Sequence, residues 1–196
     1  MGPTEPAFWE QRYQAGRMPW DLGRTPPALT RYLEAAGAEK GRVLIPGCGS
    51  GYEVETFRRG GWEPLAIDFS PAAVERARTV LGAGAAPCVR EGDFFAGEFG
   101  RDFALVYERT FLCSMPPERW PDCARRVAEL LRPGGALVGL FVYGEEPEPP
   151  PFPIRDLAAA RALFGRFELE TDEIVPAEET LPLFAGREHW QVWRLR

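Results

Sequence analysis

Hydrophobic and polar positions along the chain follow two rhythms that alternate. Short, continuous apolar runs occupy residues 42–46, 64–68, 87–90, 103–107 and 136–143. Between them, apolar residues recur at helical spacing. Residues 52–59 form one such segment. A second is capped by Ser70, carries Pro71 at its first position and shows Val74, Ala77, Val80 and Leu81 on its apolar face. A third, residues 117–131, stops at Pro133-Gly134-Gly135. Unbroken apolar strands alternating with amphipathic helices predict a parallel sheet covered by helices on both faces. Upstream, residues 8–14 read as a short helix and residues 16–27 as a Gly/Pro loop. A helix then runs from Pro26 to about Ala36, with Gly37 as its stop. Beyond Gly144 the rhythm changes. Residues 145–153 read as an extended Pro/Glu-rich loop and residues 154–164 as a helix, while residues 167–175 and 189–195 alternate as a final antiparallel pair at one sheet edge. The expectation is an α/β chain with a seven-stranded, mostly parallel sheet and an antiparallel C-terminal edge strand, in one domain over residues 1–196.

Composition narrows the function classes. A chain of 196 residues that is 45 % hydrophobic and 27 % charged reads as globular. Its net charge of −6 argues against nucleic acid or an anionic membrane as partner, since both require an excess of Lys and Arg. Cys48, Cys88, Cys113 and Cys123 show no C-x-x-C spacing, which speaks against a zinc knuckle or redox motif and fits a reduced compartment. No basic-then-apolar leader opens the chain, and its longest apolar run is far short of the roughly 20 residues of a membrane span. With His189 as the only histidine, a His-based metal cluster and Ser-His-Asp hydrolysis are nearly excluded. A cytoplasmic monomer without bound metal is expected.

The candidate chemistry gathers at the carboxyl ends of the predicted strands. Val43-Leu44-Ile45-Pro46-Gly47-Cys48-Gly49-Ser50-Gly51 runs a strand into a G-x-G-x-G turn, where missing Cβ atoms let a ligand approach the backbone beside a helix start. Asp68 closes the second strand, where a carboxylate accepts both hydroxyls of a ribose. Asp93, within Glu91-Gly92-Asp93-Phe94-Phe95, follows the third strand, where a carboxylate and an aromatic face suit an adenine. Taken singly, the glycines make a flexible turn and Asp68 a helix-capping carboxylate. Together they describe an adenosyl ligand. A dinucleotide G-x-G-x-x-G would need glycine at Tyr52 or Val54, and a P-loop would need a Lys that is absent. Adenosine joined to a group without phosphate fits better.

These residues resemble the class I S-adenosylmethionine-dependent methyltransferases, and more closely the thiopurine methyltransferase-like branch, which includes the plant-type halide/thiol methyltransferases. The resemblance covers nearly the whole chain. It rests on Phe8-Trp9-Glu10-x-x-Tyr13, Pro19-Trp20-Asp21-x-Gly23, Leu44-Ile45-Pro46-Gly47-Cys48-Gly49, Ile67-Asp68-Phe69-Ser70, Gly92-Asp93-Phe94-Phe95, Tyr107-Glu108-Arg109-Thr110-Phe111-Leu112-Cys113 and Leu130-Leu131-Arg132-Pro133-Gly134-Gly135. It implies a Rossmann-like sheet, S-adenosyl-L-methionine as cofactor and a small-molecule methyl acceptor. Trp9, Tyr13 and Trp20 would wall in the cofactor, with Tyr13 standing where the plant enzymes have Trp. Gly47 would contact the methionine part, Asp68 the ribose, and Asp93 with Phe94 the adenine; Gly49 and Phe69 complete the cofactor set. Ile45 replaces the acid that most class I enzymes carry there, which leaves the partner of the cofactor's amino group open. Residues 1–25 are expected to form a lid over the cofactor.

Arg109 is the expected catalytic residue and a cofactor contact, attracting an anionic nucleophile; the bland alternative is a salt bridge with Glu108 or Asp93. Asp21, Tyr143 and Phe152 are expected to bind the substrate. The resemblance places a Tyr of the halide enzymes at Val142, which counts against halide activity here. A sulfonium methyl is already activated, so the protein mainly holds a nucleophile in line and excludes water. Thiolates need no general base, whereas hydroxyls and amines more often do. The expected acceptor is therefore a thiol or another sulfur or selenium compound. The alternatives are a halide, a metalloid anion, a small hydroxylated aromatic, or a module that binds the cofactor without turnover.

Overall fold

The computed structural model describes residues 2–35, 40–146, 148–184 and 186–196; the helix stop expected at Gly37 lies outside them. Its seven strands are β1 (Arg42–Pro46), β2 (Glu63–Asp68), β3 (Val89–Glu91), β4 (Phe103–Arg109), β5 (Leu131–Val142), β6 (Phe167–Ile174) and β7 (Glu188–Leu195), in the order β3-β2-β1-β4-β5-β7-β6. This is the mostly parallel, Rossmann-like arrangement that the sequence predicts. One detail differs. The antiparallel strand is β7, inserted between β5 and β6, so that β6 and not β7 lies outermost. The chain comprises two compact units, residues 1–98 and 99–196.

In the first unit, β1 and β2 pair in parallel from Arg42↔Glu63 to Pro46↔Ile67, and β2 and β3 from Ala66↔Val89 to Asp68↔Glu91. Val43, Leu44 and Ala66 are wholly buried, as expected of a strand covered on both faces. The helices are α1 (Pro6–Gln14), α2 (Pro27–Ala35), α3 (Tyr52–Arg59) and α4 (Pro71–Ala85). Ser70 Oγ caps α4 by accepting from Ala73 N at 3.1 Å. Val74 and Ala77 enter the core, but Val80 stays exposed at 42 %. It lies at the margin of the apolar stripe, and the helical path breaks two residues later at Gly82. β3 starts at Val89 because residues 86–88 form a 3-10 turn. Pro87 has no N–H to give a sheet ladder.

In the second unit, α5 (Trp120–Leu130) leads directly into β5. That strand starts earlier than expected. Leu131 already pairs with Phe103, and a register shift before Leu105↔Ala136 absorbs Pro133-Gly134-Gly135. At Gly139 a Cβ would lie 1.8 Å from the Glu108 carbonyl oxygen, so only glycine allows β4 and β5 to approach there. α6 (Leu157–Leu163) is shorter than predicted. Asp156 Oδ1 caps it by accepting from Ala159 N at 2.8 Å, and Ile154 instead bridges to Tyr143. Phe141, Phe164 and Trp193 pack edge-on and tilted in a buried aromatic cluster.

Candidate functional site

The glycine turn of the first unit is built from Gly47, Gly49 and Gly51, at φ +56°, +53° and +71°. Side chains rarely adopt such angles, and glycine does so freely. Asp68 ends β2 directly beside it, only 6 % exposed. Its Oδ2 accepts from Gly49 N at 3.1 Å and its Oδ1 from Ser70 N at 3.0 Å. Burial nevertheless outweighs these donors and pushes the carboxyl up to about 6. The Phe69 N–H acts on it as well, and the carboxylate still has lone-pair capacity for a hydroxyl.

The N-terminal segment packs onto this turn. Trp9 and Trp20 meet edge-to-face at 5.2 Å, and Tyr13 meets Trp20 at 6.0 Å. Tyr13 Oη comes so close to the turn that a Cβ on Gly49 would lie 2.7 Å from it. Burial, reinforced by the Asp68 charge, raises the Tyr13 phenol far above its ordinary range, so it stays a neutral hydroxyl. Two carboxylates fasten the segment. Glu10 Oε2 accepts from Ser70 Oγ at 2.6 Å and Ala72 N at 3.0 Å, at the start of α4 where the helix dipole favours an anion. Asp21 Oδ2 accepts from Ser50 Oγ at 2.6 Å and from Arg76 at 3.2 Å, and its Oδ1 from Gly23 N at 2.7 Å. These bonds outweigh the cost of burial and hold both carboxyls below their usual range.

Asp93 is exposed and closes its own turn by accepting from Phe95 N at 2.8 Å. Phe94 is buried against Phe95, and Phe69 is half-buried beside Asp68 in the chain. The sequence-predicted cofactor residues other than Arg109 thus all belong to this one unit. The donor set fits an adenosyl sulfonium: a buried acid at the strand end, a turn that excludes Cβ atoms, and three aromatic rings suited to a cation. Ser50, Glu10 and Arg76 were not singled out by the sequence. Ser50 and Glu10 sit inside recognisable motifs, whereas Arg76 carries no signal.

In the second unit, Arg109 ends β4 and pairs with Leu140. Leu140 pairs in turn with Trp190, and Val142 with Glu188. Paired residues, and residues two apart, share a sheet face, so Arg109, Val142, Trp190 and Glu188 lie on one face. Tyr143 lies on the other. Its hydroxyl donates to Gln191 Oε1 at 3.1 Å and accepts from Gln191 Nε2 at 2.8 Å, and its ring lies 4.5 Å from that of His189. The structure therefore does not bring Tyr143 together with Arg109, and Val142 takes that place. Phe152 donates its N–H to the Cys113 carbonyl at 2.7 Å, which ties its loop to the turn that follows β4. Glu108 is fully engaged, with Oε1 accepting from Phe111 N and Leu112 N at 3.0 Å each. Burial pushes its carboxyl up to about 7.

Among the described residues no helix is long and apolar enough to cross a membrane, and no group of His, Cys, Asp and Glu is placed to hold a metal ion.

Residues 4–196 match the Thiopurine S-methyltransferase (TPMT) family. The chain is 36 % identical over 159 residues to probable thiol methyltransferase 2 of Arabidopsis thaliana, covering 79 % of this chain and 70 % of that protein. It is 30 % identical to the thiopurine S-methyltransferase of Pseudomonas fluorescens (strain SBW25), covering 82 % of each. Among solved structures, a TehB-like SAM-dependent methyltransferase from Corynebacterium glutamicum superposes with TM-score 0.67 at 18 % identity, over 98 % of this chain and 100 % of that one. A Burkholderia thailandensis N1-methyltransferase of 1,6-didemethyltoxoflavin, with S-adenosylhomocysteine bound, gives 0.70 at 19 %, over 97 % and 86 %. At such identities the structural likeness concerns the fold alone.

Proposed function

The chain belongs to the thiopurine S-methyltransferase family and is an S-adenosylmethionine-dependent methyltransferase, and from that premise we propose that its acceptor is a small soft nucleophile, a thiol or another sulfur or selenium compound. The observation that carries this reading is the position of the only histidine. His189 Nδ1 is hydrogen-bonded to Asp172 at 2.8 Å and lies with Tyr143 on the sheet face opposite Arg109. No imidazole serves Arg109's face, and a carboxylate there is too weak a base for a hydroxyl or an amine, so the acceptor is one whose nucleophile ionises easily. Relatives named for thiol, thiocyanate and thiopurine methylation support the same choice.

In this proposal Asp68 accepts the ribose hydroxyls, with Phe69 alongside. Asp93 and Phe94 hold the adenine, and Gly47 and Gly49 admit the methionine part. Trp9, Tyr13 and Trp20 turn aromatic faces to the positive sulfur. The cofactor, when bound, supplies a methyl group already activated on a sulfonium. The chain's own task is then to orient the acceptor and exclude water. Arg109 draws in the electron-rich sulfur, and Phe152 lines its approach. Val142 gives Arg109's face an apolar neighbour in place of a hydroxyl, which suits a thiol's carbon substituent better than a bare halide. Asp21 contributes by holding Ser50 and Arg76. The free cysteines fit a reduced, cytoplasmic setting.

Initial rates with S-adenosylmethionine across a panel of thiols, thiocyanate, halides, metalloid anions and phenols test the reading. We expect the highest kcat/KM with thiols. Preference for halides or phenols over every thiol would overturn it, and cofactor binding without transfer to any acceptor would point to a binding module.

A further inference from the structure

Two buried glutamates act on Arg109, and they are not equivalent. Glu108 spends its carboxylate on the backbone N–H groups of Phe111 and Leu112. Glu188 is 1 % exposed, and its Oε1 has no hydrogen-bond partner in the structure. A buried carboxylate oxygen without a donor is costly, and native proteins rarely keep one without a use. The pairing register sets Glu188 on Arg109's face of the sheet, beside Val142. Arg109, Glu108 and Glu188 all act electrostatically on the buried Cys113 thiol, so these four groups form one cluster.

We propose that Glu188 is the proton acceptor of the methyl transfer, receiving the S–H proton of a thiol oriented by Arg109. The inference rests on the thiol acceptor argued above. The S–H bond breaks with its proton passing to Glu188 and its electron pair remaining on sulfur. That pair forms the new S–CH3 bond as the methyl group's bond to the sulfonium breaks, leaving S-adenosylhomocysteine neutral at sulfur. The positive charge of the sulfonium is thereby discharged as the proton on Glu188, which then passes to water. Burial raises the Glu188 carboxyl and Arg109 pulls it back down. The net rise narrows the gap to a thiol's ordinary value of about 8.5 and makes proton transfer easier. Arg109 on β4 is the charged group that acts on Glu188 and on Glu108, and all three act on the Cys113 thiol on the turn beyond β4. The carboxylate also offsets the guanidinium, so this face favours a neutral thiol over a free anion.

Glu188→Gln keeps the shape and removes the proton acceptor. We expect kcat/KM for alkyl thiols to fall by about 100-fold or more. The loss should shrink for aryl thiols already ionised at the assay pH, and vanish for thiocyanate, which has no proton to give. Equal loss across all these acceptors would overturn the proposal, because a purely structural role lowers them alike. A second readout needs no turnover: an aryl thiol is titrated onto the protein in the presence of S-adenosylhomocysteine, and its ionisation is followed by thiolate absorbance. The wild type, with the Glu188 charge offsetting Arg109, should ionise the bound thiol at a higher pH than Glu188→Gln does. Identical titrations, or failure of the wild type to bind the thiol, would also overturn it. Glu188→Asp, which keeps the charge but shortens its reach, should fall between the two and replaces the Gln variant if that fails to fold. A wild type that methylates no thiol would sink the acceptor reading, while the titration would still decide the role of Glu188.

Discussion

Burial at the end of β2 pushes the Asp68 carboxyl up to about 6 although Gly49 and Ser70 donate to it. The ligand-free protein therefore holds this proton more tightly than the unfolded chain does. Its contribution to stability is fully present below an ordinary carboxyl value of about 3.9 and is lost as pH rises through about 6. In the proposed complex the ribose hydroxyls donate to the ionised form and reverse this preference, so binding would release a proton. We expect affinity for S-adenosylhomocysteine to rise with pH and to level off above about 6, with a slope approaching tenfold per unit on the acid side. Asp68→Asn should weaken binding by about 1.5–3 kcal/mol and flatten this dependence. Calorimetry in two buffers of different ionisation enthalpy checks both, and pH-independent binding by the wild type would contradict the role. Asp68 was legible because a carboxylate at a strand end beside a glycine turn has a recognisable address. The Ser50–Asp21–Arg76 network was not, since three distant positions carry no shared pattern. Tyr143 shows a different limit. Neighbours on a strand face opposite ways, and a shift of one residue exchanges the faces. Only the observed register shows that Val142 and not Tyr143 accompanies Arg109.

The N-terminal helix α1 and the loop after it are fastened by two anions, Glu10 at the start of α4 and Asp21 at Ser50 and Arg76. Such contacts are reversible, because each is partly solvated and worth little alone. Removing the Glu10 charge from the helix terminus should cost the docked segment about 0.3–1 kcal/mol. In Glu10→Gln we expect faster hydrogen exchange over residues 5–25 with the rest of the chain unchanged. In the wild type, S-adenosylhomocysteine should slow exchange over the same residues. Exchange that ignores both the substitution and the ligand would count against a lid. Element types were readable from hydrophobic rhythm alone, but their ends were not. Pro87 removes a ladder donor and delays β3, and Leu131 finds Phe103 as a partner ahead of the Pro-Gly-Gly turn. Ile154 bridges to Tyr143, leaving Asp156 to cap α6. Each boundary was decided by a tertiary partner that local propensity does not contain.

Across the whole chain, alternation in residues 167–175 and 189–195 foretold an antiparallel pair at one sheet edge but put the C-terminal strand outermost, where the structure has β6. β7 is buried along most of its length, with Trp190, Gln191, Val192 and Trp193 all at 5 % exposure or less, whereas β6 shows alternate residues to solvent. That difference follows from insertion beside β5, a long-range choice. Family membership fixes the cofactor chemistry for the molecule, and the sulfur acceptor is the central claim that rests on it. The most direct test is a single-turnover reaction of the full chain with S-adenosylmethionine carrying a 13C-labelled methyl group and one alkyl thiol, followed by NMR. The account predicts that the label moves from the sulfonium to a methyl thioether, in step with S-adenosylhomocysteine formation. A label that stays on the cofactor, or that reaches halide in a competing mixture while the thiol is untouched, would contradict it.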